Sequence, residues 1–269
     1  MNKFWSEAIS MKQLRKKKKW KTNAIFLIAL WIILLLASLT ILSSVVTPFL
    51  KTLQTQDLVS FDWAGFSVAS DALLQQPVVD AVKGSWIVPN VSDLGADTFS
   101  AAWVGIGGES EATLIQVGSE HDFVRRKAVY GVWYEMLPAD SITIPNINVS
   151  PGDRISASIV LVNSDTNEWQ IEIEDVTSGQ RFSQIFSYNS SRLTAEWIVE
   201  RPTVNNHLTN LANFGSITFN EITTQIQGVT GSLQSFPAHK ILMQDRQNNP
   251  LVTVSDFSKN GSSFTVAYG

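Results

Sequence analysis

Residues 168–175 read Glu-Trp-Gln-Ile-Glu-Ile-Glu-Asp, an alternation of polar and apolar side chains. Successive side chains of a β-strand point to opposite faces of the sheet, so this pattern predicts a strand with one buried and one solvated face. Short segments rich in Val, Ile, Thr, Trp and Phe recur on both sides of it, separated by Gly, Pro, Asn, Asp and Ser. Many such segments at short spacing, with almost no helical periodicity, predict an antiparallel sandwich or barrel.

Applied along the chain, this pattern predicts strands from residue 64 to residue 268. Neither a Pro/Gly-rich linker nor an internal repeat divides residues 61–269. We therefore predict one all-β domain over residues 61–269. The predicted strands are 64–69, 84–88, 98–106, 113–118, 128–136, 154–162, 168–175, 180–187, 194–200, 216–222, 239–243, 251–254 and 263–268.

Charge separates the first residues of the chain from the rest. The formal net charge is −4 over 269 residues. Residues 1–23 hold eight basic residues and one acidic residue, which leaves 12 basic and 23 acidic residues elsewhere. Because an acidic body repels nucleic acid, we predict no nucleic-acid partner. A nucleic-acid patch in the Lys-rich run is the weaker alternative.

The stretch from Ala24 to Val46 contains no charged side chain. About 20 apolar residues span the hydrocarbon core of a bilayer, and a Lys-rich flank stays on the cytoplasmic side. We therefore predict a basic cytoplasmic segment (1–23), a transmembrane signal-anchor helix (24–46), a stalk (47–60) and an extracellular domain. The alternative is a cleaved signal peptide with a shed or secreted domain, but the apolar stretch is longer than usual and no Ala-x-Ala site follows it.

The sequence lacks the motifs of several enzyme classes. The chain has no cysteine, which excludes disulfides, thiolate nucleophiles and thiolate metal sites. Its three histidines form no zinc motif, and we predict neither a metal nor a cofactor. No Gly-x-Ser-x-Gly elbow, P-loop, dinucleotide fingerprint or Asp-Thr/Ser-Gly pair occurs. A Ser-His-Asp triad in another chain order and a two-carboxylate glycosidase stay open as alternatives.

Nine short motifs follow one another through the predicted domain. They are DWAG (62–65), WIVP (86–89), AWVGI (102–106), LIQVG (114–118), WYE (133–135) with Pro138, PGD (151–153), TSGQ (177–180), AEWIVE (195–200) and LANFG (211–215). In this order they resemble the motifs of the glutamic peptidases, or eqolisins, over roughly residues 63–269. The resemblance implies an antiparallel β-sandwich of two large sheets, a concanavalin-like jelly roll, and an acid endopeptidase that hydrolyses polypeptides.

The resemblance also implies a catalytic pair, Gln116 and Glu200. In such a site an ionised Glu200 takes a proton from a bound water and later gives it to the leaving amine. An N–H of Gln116 then donates to the developing oxyanion. A carboxylate with an unperturbed pKa of roughly 4 suits an acid optimum. Without the resemblance, a glutamine inside a strand is more often a structural residue.

The residues that the resemblance implies in substrate contact are Trp63, Trp103, Trp133, Tyr134 and Glu135. Aromatic residues of a sandwich are more often core, and that interpretation stays open for each of them. Strand alternation places Glu196 on the same face as Glu200. We interpret Glu196 as a structural or supporting residue.

The chain departs from the family pattern at three positions. Gly107 and Gly131 stand where the family commonly has Asp, and Glu120 keeps a carboxylate where fungal members have Asp. These changes affect the outer carboxylates and the substrate preference rather than the catalytic pair.

The main alternative function is a membrane-anchored sandwich that binds glycan or peptide without turnover. Exposed aromatic side chains on a β-sheet face would serve binding equally well. In that case Gln116 and Glu200 would be replaceable. In either case we expect a monomeric extracellular domain.

Overall fold

The computed structural model describes residues 57–69, 79–109 and 111–269. All of them belong to the second of two compact units, residues 54–269. The predicted cytoplasmic segment (1–23), transmembrane helix (24–46) and most of the stalk (47–60) lie outside the described residues. Within the described ranges, no helix has the length and apolar character needed to cross a bilayer.

The described chain is built from β-strands. In chain order they are β1 (Leu58–Ser60), β2 (Trp63–Ala69), β3 (Val79–Ile87), β4 (Ala101–Ile106), β5 (Ile115–Val124), β6 (Lys127–Met136), β7 (Ile142–Thr143), β8 (Arg154–Asn163), β9 (Glu168–Asp175), β10 (Gln180–Ser187), β11 (Thr194–Glu200), β12 (Thr203–Val204), β13 (His207–Leu208), β14 (Ser216–Ile226), β15 (Val229–Gly231), β16 (Ala238–Met243), β17 (Val252–Val254) and β18 (Phe264–Tyr268).

The strands form two large sheets and one small hairpin. Sheet 1 has the order β1-β16-β2-β11-β4-β5-β6-β7. Sheet 2 has the order β10-β9-β8-β3-β14-β18-β17, with β15 paired to β14, and β12 pairs with β13 alone. Neighbouring strands are antiparallel except β1, which pairs with β16 in parallel. The predicted all-β sandwich is confirmed.

The main core lies between the sheets and follows the predicted alternation. On β9, Trp169, Ile171 and Ile173 are fully buried, while the intervening polar side chains face outward. Sheet 1 contributes side chains from the inner face of its strands to the same core, such as Val104 of β4 and Trp197 of β11. The hydrophobic effect on these two inner faces holds the sandwich together.

Sheet 1 also buries part of its other face. A second, smaller cluster there contains Ala101, Trp103, Leu114, Trp133, Ile198 and Ile241. All six residues of β4 are consequently buried, since this strand is covered on both sides. The open face of sheet 1 is therefore partly apolar, and the candidate site lies on it.

Several strand bounds differ from the predicted ones. Leu58–Ser60 was assigned to the stalk but pairs with β16 as an edge strand of sheet 1. Strand β3 begins at Val79, because its backbone pairs with β8 and β14 even where Asp80 and Lys83 interrupt the apolar pattern. Strand β5 continues to Val124, well past the predicted end at Gly118. Local composition therefore underestimates strands whose polar side chains have a place in the structure.

Candidate active site

A cleft of about 460 Å³ lies on the open face of sheet 1. Its floor comes from β4, β5, β6 and β11, and the segment 202–204 forms one wall. It is lined by Asp62, Trp63, Phe99, Ser100, Ala101, Leu114, Gln116, Glu120, Asp122, Trp133, Glu135, Leu137, Ser141, Thr143, Glu200, Pro202, Thr203 and Val204.

Glu200 is the last residue of β11 and enters the cleft from a buried strand. Its Oε2 accepts a hydrogen bond from Nε1 of Trp103 at 2.7 Å. Burial raises the pKa of Glu200 to about 7, a rise that the Trp103 hydrogen bond reduces and that nearby Asp62 and Glu135 increase. Glu200 therefore has the properties of a carboxyl group that exchanges protons near neutral pH.

Gln116 stands on β5 with only 4% of its surface exposed. Its Nε2 donates to Oε2 of Glu135 on the neighbouring strand β6 at 2.5 Å, and the two residues are directly paired in the ladder. Within the described ranges its Oε1 is buried and has no hydrogen-bond partner. Glu135 therefore fixes the amide, which keeps its second N–H for a ligand or a water.

Strand β4 separates the two residues and supplies Trp103 between them. Gln116 pairs with Gly105 of β4, whereas Glu200 pairs with Ala101, and Trp103 occupies the intervening position on the same face. Gly118 makes this arrangement possible. A Cβ on Gly118 would lie 2.5 Å from Cβ of Trp103 and 2.4 Å from the carbonyl oxygen of Ala102.

Two further carboxyl groups lie along β5 at the other end of the cleft. Burial raises the pKa of Glu120, and burial together with the charge of Glu120 raises that of Asp122 to about 7. Gly131 makes room for Glu120, because a Cβ there would lie 2.6 Å from Oε1 of Glu120.

The cleft is rich in carboxyl groups. Five carboxyl groups line it, and its described lining contains no Lys, Arg or His. Burial also raises the pKa of Glu135. Burial therefore keeps four of these groups, Glu120, Asp122, Glu135 and Glu200, protonated to a higher pH than exposed carboxyl groups.

The five predicted contact residues separate into three groups. Trp63, Trp133 and Glu135 line the cleft. Trp103 is fully buried beneath the floor and reaches Glu200 only through its indole N–H. Tyr134 is not brought to the cleft, because it faces the core and packs on Phe182 and Phe186, at ring-centroid distances of 5.5 Å and 4.8 Å.

The position of Tyr134 follows from strand alternation. Trp133 and Glu135 point to the open face of β6, so the residue between them points to the core. Asp122 was not identified as a site residue from the sequence, because the predicted strand ended at Gly118. Asp122 lies two residues after Glu120 and points to the same face of β5 as Glu120 and Gln116. Continuing the alternation along β5 would have found it.

A buried serine–histidine pair lies on the opposite side of β5. Oγ of Ser119 is 2.8 Å from Nε2 of His121 and accepts a hydrogen bond from Nε1 of Trp86 at 2.8 Å. Both side chains are fully buried between the sheets, and burial lowers the pKa of His121 to about 3. This serine cannot meet a substrate, so the pair is structural. No group of His, Asp and Glu in the described ranges is arranged to hold a metal ion.

Known proteins match this chain in sequence and fold. Residues 62–268 match the model of the Peptidase A4 family. Aspergillopepsin-2 of Aspergillus niger is 27% identical over 238 residues, which cover 80% of this chain and 79% of that protein.

Solved structures of glutamic peptidases share the fold. The aspergilloglutamic peptidase of Aspergillus niger superposes with a TM-score of 0.57 at 27% identity, covering 64% of this chain and 99% of that one. Scytalido-glutamic peptidase, solved with a transition state analog inhibitor, has a TM-score of 0.66 at 24% identity, with 78% and 99% covered. With the match over residues 62–268, the chain belongs to the Peptidase A4 family, the eqolisins, and is a glutamic endopeptidase.

Proposed function

We propose that Gln116 and Glu200 are the catalytic residues and that the cleft on sheet 1 binds an extended polypeptide. The observation that supports the proposal is that one cleft contains both a carboxyl group with a raised pKa and an amide whose orientation is fixed. Glu200 is a carboxyl with a pKa of about 7 held by Trp103, and Gln116 is an amide held by Glu135. The first can move protons, and the second can donate a hydrogen bond to a developing negative charge.

Below pH 7 the protonated form of Glu200 prevails. This differs from the sequence-based expectation of an ionised carboxylate with a pKa near 4, because burial disfavours the charged form. In the first step Glu200 passes its proton towards the oxygen of the scissile carbonyl, and an N–H of Gln116 donates to the same oxygen. The attacking water gives a proton to the carboxylate of Glu200 as its oxygen bonds to the carbonyl carbon.

In the second step the tetrahedral intermediate collapses. Glu200 gives its proton to the leaving nitrogen and recovers one from a hydroxyl of the intermediate, so the protonated carboxyl is restored. Glu200 thus serves as acid and base in turn. The indole N–H of Trp103 stabilises the carboxylate each time it forms.

Because the proposed reaction starts from protonated Glu200, the rate of cleavage should depend on pH. We expect kcat/KM to be high at acid pH and to fall roughly tenfold per pH unit above about 7, as Glu200 loses its proton. Rates on an uncharged, quenched fluorescent peptide from acid to alkaline pH give the profile. A kcat/KM that instead rises with pH up to 7 would mean that the ionised form reacts first and that Glu200 starts as a base.

Polypeptides are the proposed substrates. A glutamic peptidase of the same fold, SCP-B, was solved with the tripeptide Ala-Ile-His, and scytalido-glutamic peptidase with a peptide-based transition state analog. Here the acidic lining makes nucleic acid an unsuitable ligand. We propose that the domain acts as a monomer.

We further propose that residues 24–46 anchor the chain in a membrane, with residues 1–23 cytoplasmic and the catalytic domain outside the cell. The support is the uncharged apolar stretch beside a Lys-rich segment. The full chain is expected to stay with membranes after alkaline carbonate washing, and deletion of residues 24–46 is expected to release it. Deletion of residues 47–56 is the matched control and should leave it bound. A full chain recovered in the wash would contradict the anchor.

A further inference from the structure

The hydroxyl of Tyr188 occupies a place in the ladder between β5 and β6. Gln116 faces Glu135 in this ladder, which ends with Ile115 opposite Met136, and the next residues outward are Leu114 and Leu137. The amide N–H of Leu137 donates to the carbonyl oxygen of Leu114 at 2.9 Å. The second hydrogen bond expected between these two residues is replaced by two bonds to the tyrosine hydroxyl. The amide N–H of Leu114 donates to Oη of Tyr188 at 2.9 Å, and Oη donates to the carbonyl oxygen of Leu137 at 2.8 Å.

This hydroxyl is held from the other sheet. The amide N–H of Tyr188 donates to the carbonyl oxygen of Asn167 at 2.9 Å. Its carbonyl oxygen accepts from Nε1 of Trp169 at 3.0 Å, and Trp169 is anchored in the core of sheet 2. The position of Oη is therefore set by sheet 2, although the groups that it binds belong to sheet 1.

The two backbone groups that Tyr188 joins adjoin the catalytic amide. Leu114 lies two residues before Gln116, and Leu137 lies two residues after Glu135. Both leucines line the cleft. A change in the separation of β5 and β6 at this pair would therefore move Gln116 relative to Glu135, whose carboxylate orients it.

We propose that Tyr188 is a positioning residue for catalysis: its hydroxyl completes the β5–β6 ladder beside Gln116 and so holds the Gln116 amide in its working orientation. The inference rests on the proposed catalytic role of Gln116. Only a group that accepts and donates at once can fill this place, and phenylalanine keeps the ring but loses both bonds. Without Oη, the N–H of Leu114 and the carbonyl of Leu137 have no protein partner at the edge of a cleft, and the strands can separate there.

The test compares Tyr188→Phe with Tyr130→Phe in the full chain. Tyr130 is a matched control because its hydroxyl also accepts a backbone N–H, that of Val91 at 3.2 Å, and Tyr130 does not line the cleft. Each variant loses hydrogen bonding of a buried backbone group, so each loses some stability. At a temperature where both are folded, we expect Tyr188→Phe to lower kcat roughly tenfold with KM unchanged, because small misplacement of a catalytic group costs rate. Tyr130→Phe is expected to keep the kcat of the parent.

Equal kcat values for the two tyrosine variants would overturn the inference. Gln116→Ala, measured beside them, separates this failure from that of the proposed function. If Gln116→Ala is inactive and Tyr188→Phe is fully active, only the positioning role fails; if Gln116→Ala is active, both fail. Hydrogen exchange gives a second measurement that needs no variant. The Leu114 amide should exchange slowly in the parent protein, and rapid exchange would contradict its bond to Tyr188.

Discussion

Replacing Gln116 with alanine is expected to lower kcat by about 10²–10³-fold with little change in KM, because an oxyanion donor acts mainly in the transition state. The amide is 4% exposed and its bond to Glu135 already fixes its orientation, so no other side chain can take its place without rearrangement. Steady-state cleavage of a fluorogenic peptide at acid pH measures both constants.

Gln184→Ala is the matched control for this substitution. Gln184 lies on β10 in the other large sheet, where its side chain is exposed, and its loss should leave kcat unchanged. A second variant, Gln116→Glu, keeps the length of the side chain but exchanges the amide donor for a carboxyl group. If Gln116→Ala folds normally and keeps more than half of the activity, Gln116 stabilises no oxyanion.

Replacing Glu196 with glutamine is expected to change the pH dependence of stability. Glu196 is fully buried on β11, and neither of its oxygens has a hydrogen-bond partner within the described residues. Burial raises its pKa well above the ordinary value of 4.5, and the charges of Glu109 and Glu111 raise it further. The folded state therefore keeps a proton that the unfolded state loses.

The sign of the effect follows from that proton. This contribution to stability is complete below pH 4.5 and is lost as the pH rises towards the raised pKa. Relative to the parent, Glu196→Gln should gain about 1.4 kcal/mol of unfolding free energy per pH unit between pH 4.5 and the raised pKa of Glu196. Urea unfolding at several pH values measures the difference.

Glu168→Gln serves as the control for the stability experiment. Glu168 lies on the outward face of β9. Its replacement should change the unfolding free energy only slightly. A Glu196→Gln difference that is independent of pH would contradict a buried, protonated Glu196.

Sequence patterns located the strands whose side chains alternate in polarity. Residues 168–175, 180–187 and 194–200 were predicted with the bounds that β9, β10 and β11 have. Strand β9 buries every second side chain and β10 packs Phe182 and Phe186 against the same core, whereas β11 is buried on both faces. Strand β1 was missed because three residues carry too little pattern, and its pairing with β16 is a contact between distant parts of the chain.

Sequence motifs predicted only part of the candidate site. The motif order led to Gln116, Glu200 and Glu135, and the structure brings these three to one cleft. The motif order did not distinguish Trp103, which lies under the floor of the cleft, from Trp63 and Trp133, which line the cleft. That distinction depends on which side chain covers which strand.

Two properties of the site come from the assembled structure. The raised pKa of Glu200 results from burial by several strands and from the nearby carboxyl groups of Asp62 and Glu135. The hydroxyl of Tyr188 meets Leu114 from across the sandwich, 74 residues away in sequence. Neither follows from a motif, because each depends on distances between segments far apart in the chain.

The central claim is that Glu200 performs the proton transfers of peptide hydrolysis in this cleft. The most direct test compares Glu200→Gln with Glu196→Gln in cleavage of a denatured protein at acid pH. The two glutamates lie on one face of β11, four residues apart, but only Glu200 lines the cleft. We predict that Glu200→Gln folds and loses about 10²–10⁴-fold in rate, the usual contribution of a general acid–base group, while Glu196→Gln cleaves like the parent. Undiminished cleavage by folded Glu200→Gln would contradict the account.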